Sequence, residues 1–285
     1  MRSLLAVCLC VCFISGISFA GTVTVGGIDL DFVTIGNAGN AADSTGYGAV
    51  DYAYQIGKYE ITNGQWNAFV SAAGAPTGNP SHAYDGSAYW TGTNVPTNSV
   101  SWYEAAQFCN YLTSGDRYSG AYNFSQSGDF LGVDRASAIS AYGTTYVIPT
   151  EDEWYKAAYY TGSGYSLYAN GTNTAPIAGT DTNYDYVIGQ PWEVGVGNGT
   201  QEQNGTYDMM GNVWEWNEAL ISGPSRGIRG GSYYVSDFDL SSSIRGSGYP
   251  NNESISVGFR VASVPEPCSL VLLGLGGLAL RYRKR

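Results

Sequence analysis

The chain has 285 residues, a formal net charge of −11 and only 13% charged residues, against 39 glycines, 24 tyrosines and 7 tryptophans. An acidic surface of this kind repels phosphate backbones and anionic lipid headgroups, which excludes nucleic acid as a partner. With His82 as the only histidine, a histidine-rich metal centre and a serine–histidine triad are both excluded.

In chain order, the first element is a leader. Met1 to Ala20 carries Arg2, then an apolar run through Leu4, Leu5 and Ile14, and closes on Ser18-Phe19-Ala20 before Gly21. This is the pattern of a secretory signal peptide over 1–20. Residues 21–263 have the length of one domain. They hold a single cysteine, Cys109, so no disulfide can form within the domain. Arg2 and the four cations of the tail fall outside this span, whereas Glu266 is the only acid that does, so the domain is more acidic than the chain.

Three helices are signalled by their caps. Thr62 with Gln65, Ser101 with Glu104 and Thr150 with Glu153 each match a capping box, in which two side chains satisfy orphan amides of the first turn. Behind them, Trp66, Phe69, Val70 and Ala73 repeat at helical spacing, as do Ala105, Phe108, Cys109 and Leu112; Trp154, Ala157 and Ala158 follow the third cap. Cys109 reads as a buried small hydrophobe on such a stripe. The stretches 74–99, 115–145 and 161–206 are too long for ordinary connections, yet too rich in aromatic residues to be disordered. They are expected to be ordered, irregular structure with short strands. Asn170-Gly171-Thr172, Asn198-Gly199-Thr200 and Asn204-Gly205-Thr206 read as turns.

At the C-terminus, residues 264–285 combine Val264-Pro265-Glu266-Pro267, an uncharged stretch from Ser269 to Leu280 and the basic end Arg281-Tyr282-Arg283-Lys284-Arg285. As a helix the uncharged stretch reaches about 18 Å, against a hydrocarbon core of ~30 Å, so it is a short membrane anchor with its basic flank inside. The three parts in this order resemble a PEP-CTERM sorting signal. That resemblance implies a bacterial protein exported through the inner membrane, processed by an exosortase-type enzyme, and membrane-anchored, cell-surface or extracellular after sorting.

Six motifs in order span the domain: Gly57-Lys58-Tyr59-Glu60-Ile61-Thr62-Asn63, Pro96 to Trp102 with Glu104-Ala105-Ala106, Ile148 to Trp154, Asp208 to Trp216, Arg229-Gly230-Gly231-Ser232 and Gly258-Phe259-Arg260. Together they resemble the formylglycine-generating-enzyme (sulfatase-modifying factor) family. The implied fold is α+β: a C-type-lectin-like single domain with little regular secondary structure and three short helices.

The resemblance implies calcium, held by the side chains of Asp208 and Glu215 and the carbonyls of Gly211 and Val213, a mixed oxygen set of the kind calcium accepts. The competing reading is that Asp208 caps a turn, Glu215 pairs with an arginine and the tryptophans are core. A second family calcium site maps onto Asn183 and the Tyr184 carbonyl. Oxidases of the family use copper to convert a protein cysteine to formylglycine, through two cysteines three and eight residues after the serine of Gly-Gly-Ser. Here those positions are Val235 and Leu240. Neither supplies the soft thiolate that selects copper(I), so copper is not expected and no catalytic residue is assigned.

The resemblance leaves a binding role, in which the segment between Gly-Gly-Ser and Gly-Phe-Arg forms a variable surface. In this chain it contains Ser232, Tyr233, Tyr234, Asp237, Phe238, Asp239, Tyr249, Asn251 and Asn252. Tyrosine and asparagine are the residues of adaptable paratopes, and aromatic faces beside carboxylates suit carbohydrate as well as protein ligands. Arg245 and Arg260 are expected to hold core loops rather than touch a ligand. An ordinary solvated loop, or a family oxidoreductase with an atypical active site, are the alternatives.

Overall fold

The computed structural model describes residues 21–197 and 202–264. The leader and the sorting tail, Val264 excepted, lie outside the described residues, as does the whole of the second Asn-Gly-Thr turn, 198–200. In chain order the elements are β1 (Gly21–Val25), β2 (Ile28–Ile35), β3 (Tyr54–Gly57), α1 (Asn63–Ala73), α2 (Trp102–Ser114), β4 (Tyr122–Phe124), β5 (Phe130–Val133), α3 (Arg135–Tyr142), β6 (Thr145–Val147), α4 (Glu151–Tyr159), β7 (Trp214–Ser222), β8 (Ser225–Arg229), β9 (Gly246–Gly248), β10 (Val257–Gly258) and β11 (Ala262–Val264).

The first sheet, in the order β1-β2-β3-β11-β6, joins the two ends of the domain. Ala262 pairs with Ile56 on one side and Val147 on the other, so the last strand locks between two early ones. The second sheet runs β10-β7-β8-β9, with β10 parallel to β7, and β4-β5 form a separate hairpin. The remainder is irregular, as the composition predicts.

All three capping boxes form, at Thr62, Ser101 and Thr150. Each places an apolar face inward: Phe69 and Phe108 meet edge-to-face with centroids 5.2 Å apart, and Phe259 packs on Phe108 at 5.4 Å. Cys109 is fully buried in this cluster, and burial pushes its thiol well above the usual range.

The structure has a fourth helix, α3, that the sequence reading left in an irregular stretch. Its cap, Asp134, accepts from the Ser137 amide 2.9 Å away, but no acid or glutamine three residues on completes a box, and only Ala138 is buried. Arg135 fixes its place instead. Its guanidinium donates to Glu153 of α4 at 2.9 Å, to Glu218 of β7 at 3.0 Å and to the Ile148 carbonyl at 2.8 Å. Burial opposes ionisation of Glu153, but Arg135 overrides it and holds the carboxyl below its ordinary value.

Candidate functional site

The loop from Tyr207 to Val213 turns through two left-handed non-glycine residues, Asp208 and Asn212, with Gly211 between them at a φ of 74°. Any side chain at Gly211 would collide with the Asn183 carbonyl, so the glycine is required by this close approach. Asn212 then crosslinks the loop. It donates from Nδ2 to Glu60 at 2.7 Å, accepts from the Trp192 amide at 2.9 Å, and its own amide donates to the Asn183 carbonyl at 2.8 Å.

Beyond the loop, β7 carries Trp214, Glu215 and Trp216 into the core. Both Glu215 oxygens accept from Arg260, at 2.6 Å each, and one also accepts from Trp154 Nε1 at 2.8 Å. Arg260 donates further to the carbonyls of Gly57 at 3.0 Å and Tyr207 at 2.9 Å. Trp216 Nε1 donates to the Val100 carbonyl at 3.0 Å, tying β7 to the segment before α2.

Around this one guanidinium stand further buried carboxyls. Burial, followed by Asp208 and Glu215, pushes Glu60 well above the ordinary range. Burial likewise raises Glu202 to about 8 and raises Asp208. Asp208 accepts from Trp192 Nε1 at 2.9 Å and the Gly195 amide at 2.7 Å.

These contacts bear directly on the calcium set Asp208, Gly211, Val213 and Glu215. A dication on Glu215 would face the Arg260 fork, and the Asp208 carboxylate already anchors the 192–195 turn. As arranged, this set does not fit calcium; the turn-capping and arginine-pairing roles account for both carboxylates. Among the described residues no three or more Asp, Glu, His or Cys side chains form a metal-holding group. Asn183 is different. Its Nδ2 donates to the Gln190 carbonyl at 2.9 Å, while its fully buried Oδ1 has no hydrogen-bond partner. An orphaned buried acceptor of this kind fits a cation. The Tyr184 carbonyl accepts from the Val187 amide at 3.3 Å.

The positions of the oxidase cysteines are filled by packing. A Cβ added to Gly231 would lie 2.6 Å from Leu240 Cδ2 and 3.1 Å from Val235 Cγ2, so both aliphatic side chains close on the glycine. Leu240 is fully buried. Ser232 is also fully buried, and its Oγ has no partner. His82 lies at the surface, 2.6 Å from Asn251 Nδ2.

The predicted surface divides into parts. Tyr234 and Phe238 are exposed, Phe238 at 64%, whereas Tyr233 is buried. Tyr233 and Tyr234 meet at 5.4 Å, and both touch the exposed Tyr186, at 6.2 and 5.7 Å. Trp90 packs edge-on against Tyr233 at 5.7 Å, with Tyr89 against Trp90 at 4.8 Å. Asp237 and Asp239 belong to the 3-10 turn Asp237–Leu240 next to this cluster. Tyr249 is exposed but makes no ring contact with the cluster among the described residues; Asn252 donates its amide to the Tyr249 carbonyl, and Asn251 faces His82.

Tyr186 and Tyr89 were not legible as site residues. Tyr186 is presented by two successive left-handed residues, Asp185 (φ 59°) and Tyr186 itself (φ 57°). The amides of both are tied down, to the Val235 carbonyl at 2.8 Å and the Tyr233 carbonyl at 2.9 Å. Such strain persists only where neighbours over-determine it, and it clusters at functional surfaces. Arg245 and Arg260 have the structural role expected of them: Arg245 pairs with Glu151, which Arg229 also holds at 2.6 Å.

Comparison with known proteins agrees with this fold. The family model described as the sulfatase-modifying factor enzyme 1-like domain matches residues 32–264. Hercynine oxygenase of Mycobacterium tuberculosis is 27% identical over 241 residues, which cover 74% of this chain and 52% of that protein. The chain thus spans about half the length of that curated relative. Among solved structures, Treponema denticola variable protein 1 superposes with a TM-score of 0.61 at 26% identity, covering 86% of this chain and 99% of that one. PvdO from Pseudomonas aeruginosa superposes with a TM-score of 0.56 at 16% identity, over 86% and 98% of the two chains.

Proposed function

This chain belongs to the family of sulfatase-modifying factor enzyme 1-like domains, and from that premise we propose that it is a ligand-binding module acting through the aromatic surface of Tyr186, Tyr234 and Phe238. The observation that carries the reading is the pair of left-handed residues at Asp185 and Tyr186, which holds an exposed tyrosine against Tyr233 and Tyr234. A preorganised aromatic patch flanked by Asp237 and Asp239 supplies rigid contact area at low entropic cost. The superposition on a solved protein titled as variable supports the same reading. Carbohydrate and protein ligands both suit this chemistry. A glycan array and a peptide library, screened with wild type and Tyr234→Ala, test it: binding that is lost in the variant supports the surface, and binding indifferent to it overturns the assignment.

One observation favours a second reading, an oxidoreductase with an atypical site: the similarity to hercynine oxygenase, joined to the unpartnered Ser232 Oγ. Anaerobic copper(I) titration, followed by turnover of a cysteine peptide with dioxygen admitted, separates the two. Tight copper binding and aldehyde formation would replace the binding-module reading.

Calcium belongs to the proposal at Asn183 and Tyr184, and is tested by melting in EDTA against excess calcium. Export, exosortase processing and surface sorting are proposed from the two chain ends. Expression in a host that carries such an enzyme, followed by intact-mass measurement, tests whether the ends at 20 and 264 are removed.

A further inference from the structure

A cavity lies between α1, the start of α2 and the segment from Tyr84 to Thr93, with a volume of about 520 Å³. Its wall includes Trp66 and Val70 from α1, Ala88 from the segment, Asn63, Tyr84 and Glu104. The volume falls within the range of small-molecule sites, and the lining mixes aromatic and aliphatic surface with a few convergent polar groups, as such sites do.

The polar groups have a definite chemistry. Asn63 donates both amide hydrogens, to the carbonyls of Trp90 at 2.9 Å and Gly92 at 3.1 Å. That fixes the amide orientation and leaves its buried Oδ1 as an acceptor with no partner. Glu104 closes the capping box of α2 by accepting from the Ser101 amide at 2.8 Å, and behind it stands Glu253. The two carboxyls are neighbours, and the buried Glu253 Oε1 has no partner. A side chain at Gly86 would collide with the Glu253 carboxylate, so the glycine brings the segment onto this pair. Burial, then the neighbouring Glu253, raises Glu104 to about 8, which keeps it protonated and able to donate near neutrality. No lysine or arginine lines the cavity, so nothing in its wall recognises an anion. Trp66 stacks one face on Phe108 at 5.9 Å, and its remaining surface forms cavity wall.

We propose that this cavity binds a small uncharged polyol of monosaccharide size, its hydroxyls bonding to Asn63 and Glu104 and its C–H face lying on Trp66. Hydroxyls both donate and accept, which matches a wall combining an orphan amide oxygen with a carboxyl. The site does not rest on the tyrosine surface and survives its failure.

The test uses the full chain, ligand-observed NMR and calorimetry with a panel of glucose, galactose, mannose and N-acetylglucosamine, with spermidine and arginine as cationic comparators. At least one sugar should bind and shift the Trp66 indole resonance. Val70→Trp, which fills the cavity, should weaken that sugar by at least about tenfold, equivalent to ~1.4 kcal/mol. Ala88→Phe fills it from the opposite wall and serves if Val70→Trp melts early; Tyr234→Ala should leave the affinity unchanged. No sugar binding at millimolar concentration, binding of the cations alone, or undiminished affinity in a folded filled variant would each overturn the proposal.

Discussion

The Glu215–Arg260 pair and the tyrosine surface lie within one stretch of the same chain, yet they differ in every physical respect. Arg260 and Glu215 are fully buried and each hydrogen bond is made to another fixed group. Tyr234, Phe238 and Tyr186 are exposed; the two tyrosines pack on each other, and none of the three rings is held as the buried pair is. A substitution in the first region leaves a charge stranded in low dielectric, whereas one in the second removes contact area that only a ligand would miss. The motif that identifies the family therefore reports the scaffold, and the binding proposed for this chain is placed on the part free to differ.

The sharpest way to break this comparison is Arg260→Met. It strands Glu215 beside the other buried carboxyls, and the expected loss is about 3–5 kcal/mol, a large share of the 5–15 kcal/mol typical of a domain. Urea unfolding measures it. A midpoint unchanged from wild type would show that the buried pair is dispensable and the comparison misplaced. Calcium is next in size: at ~100 Kd an ion bound at Asn183 should stabilise by about 2.7 kcal/mol, and Asn183→Ala should erase the shift between EDTA and calcium. Identical melting in both buffers would remove the ion from the proposal.

A third measurement contrasts a paired with an unpaired carboxyl. Glu104 rises from 4.5 to about 8 on folding because it is buried beside Glu253 without a cation. The folded state therefore holds a proton that the unfolded chain has released. The resulting stability is fully present below pH 4.5, falls as pH rises through 4.5 to 8, and is flat above. Its steepest slope is about 1.4 kcal/mol per pH unit. Glu202 rises to about 8 as well and adds a slope of the same sign in the same window. Glu104→Gln keeps the capping acceptor and should remove only the Glu104 share of that slope; an unaltered profile would mean that Glu104 does not titrate there.

What the sequence disclosed follows the same division between local and distant chemistry. The boxes at Thr62, Ser101 and Thr150 were legible because cap and partner are three residues apart. Helix α3 was not, since Asp134 has no box partner and Arg135, which places it, acts on Glu153 and Glu218 far along the chain. Glu60 sat inside a quoted motif, but its role, holding Asn212 across 152 positions, exists only in the fold. The alternative roles weighed for Asp208 and Glu215, capping and arginine pairing, match the geometry, and a carboxylate pattern alone could not distinguish them from ligation. Tyr186 gave no signal, because nothing in Asp185-Tyr186 announces a left-handed pair.

The smallest expected effect on stability is the most informative about function. Tyr234→Ala removes an exposed ring that rests on the exposed Tyr186 and covers only the edge of the buried Tyr233. Surface substitutions of this type stay within about 0.5 kcal/mol of wild type. Tyr186→Ala has a second consequence, because alanine keeps the strained left-handed backbone but loses the ring that packs on Tyr233 and Tyr234. Tyr186→Gly relieves that strain and also deletes the ring. If the conformation serves only to present the aromatic ring, the glycine variant should be at least as stable as the alanine variant while both lose ligand equally. Urea midpoints and binding titrations on the two variants measure this. A glycine variant that is clearly less stable than the alanine variant would show that residue 186 is not held in the left-handed conformation, and would remove the preorganised tyrosine from the comparison.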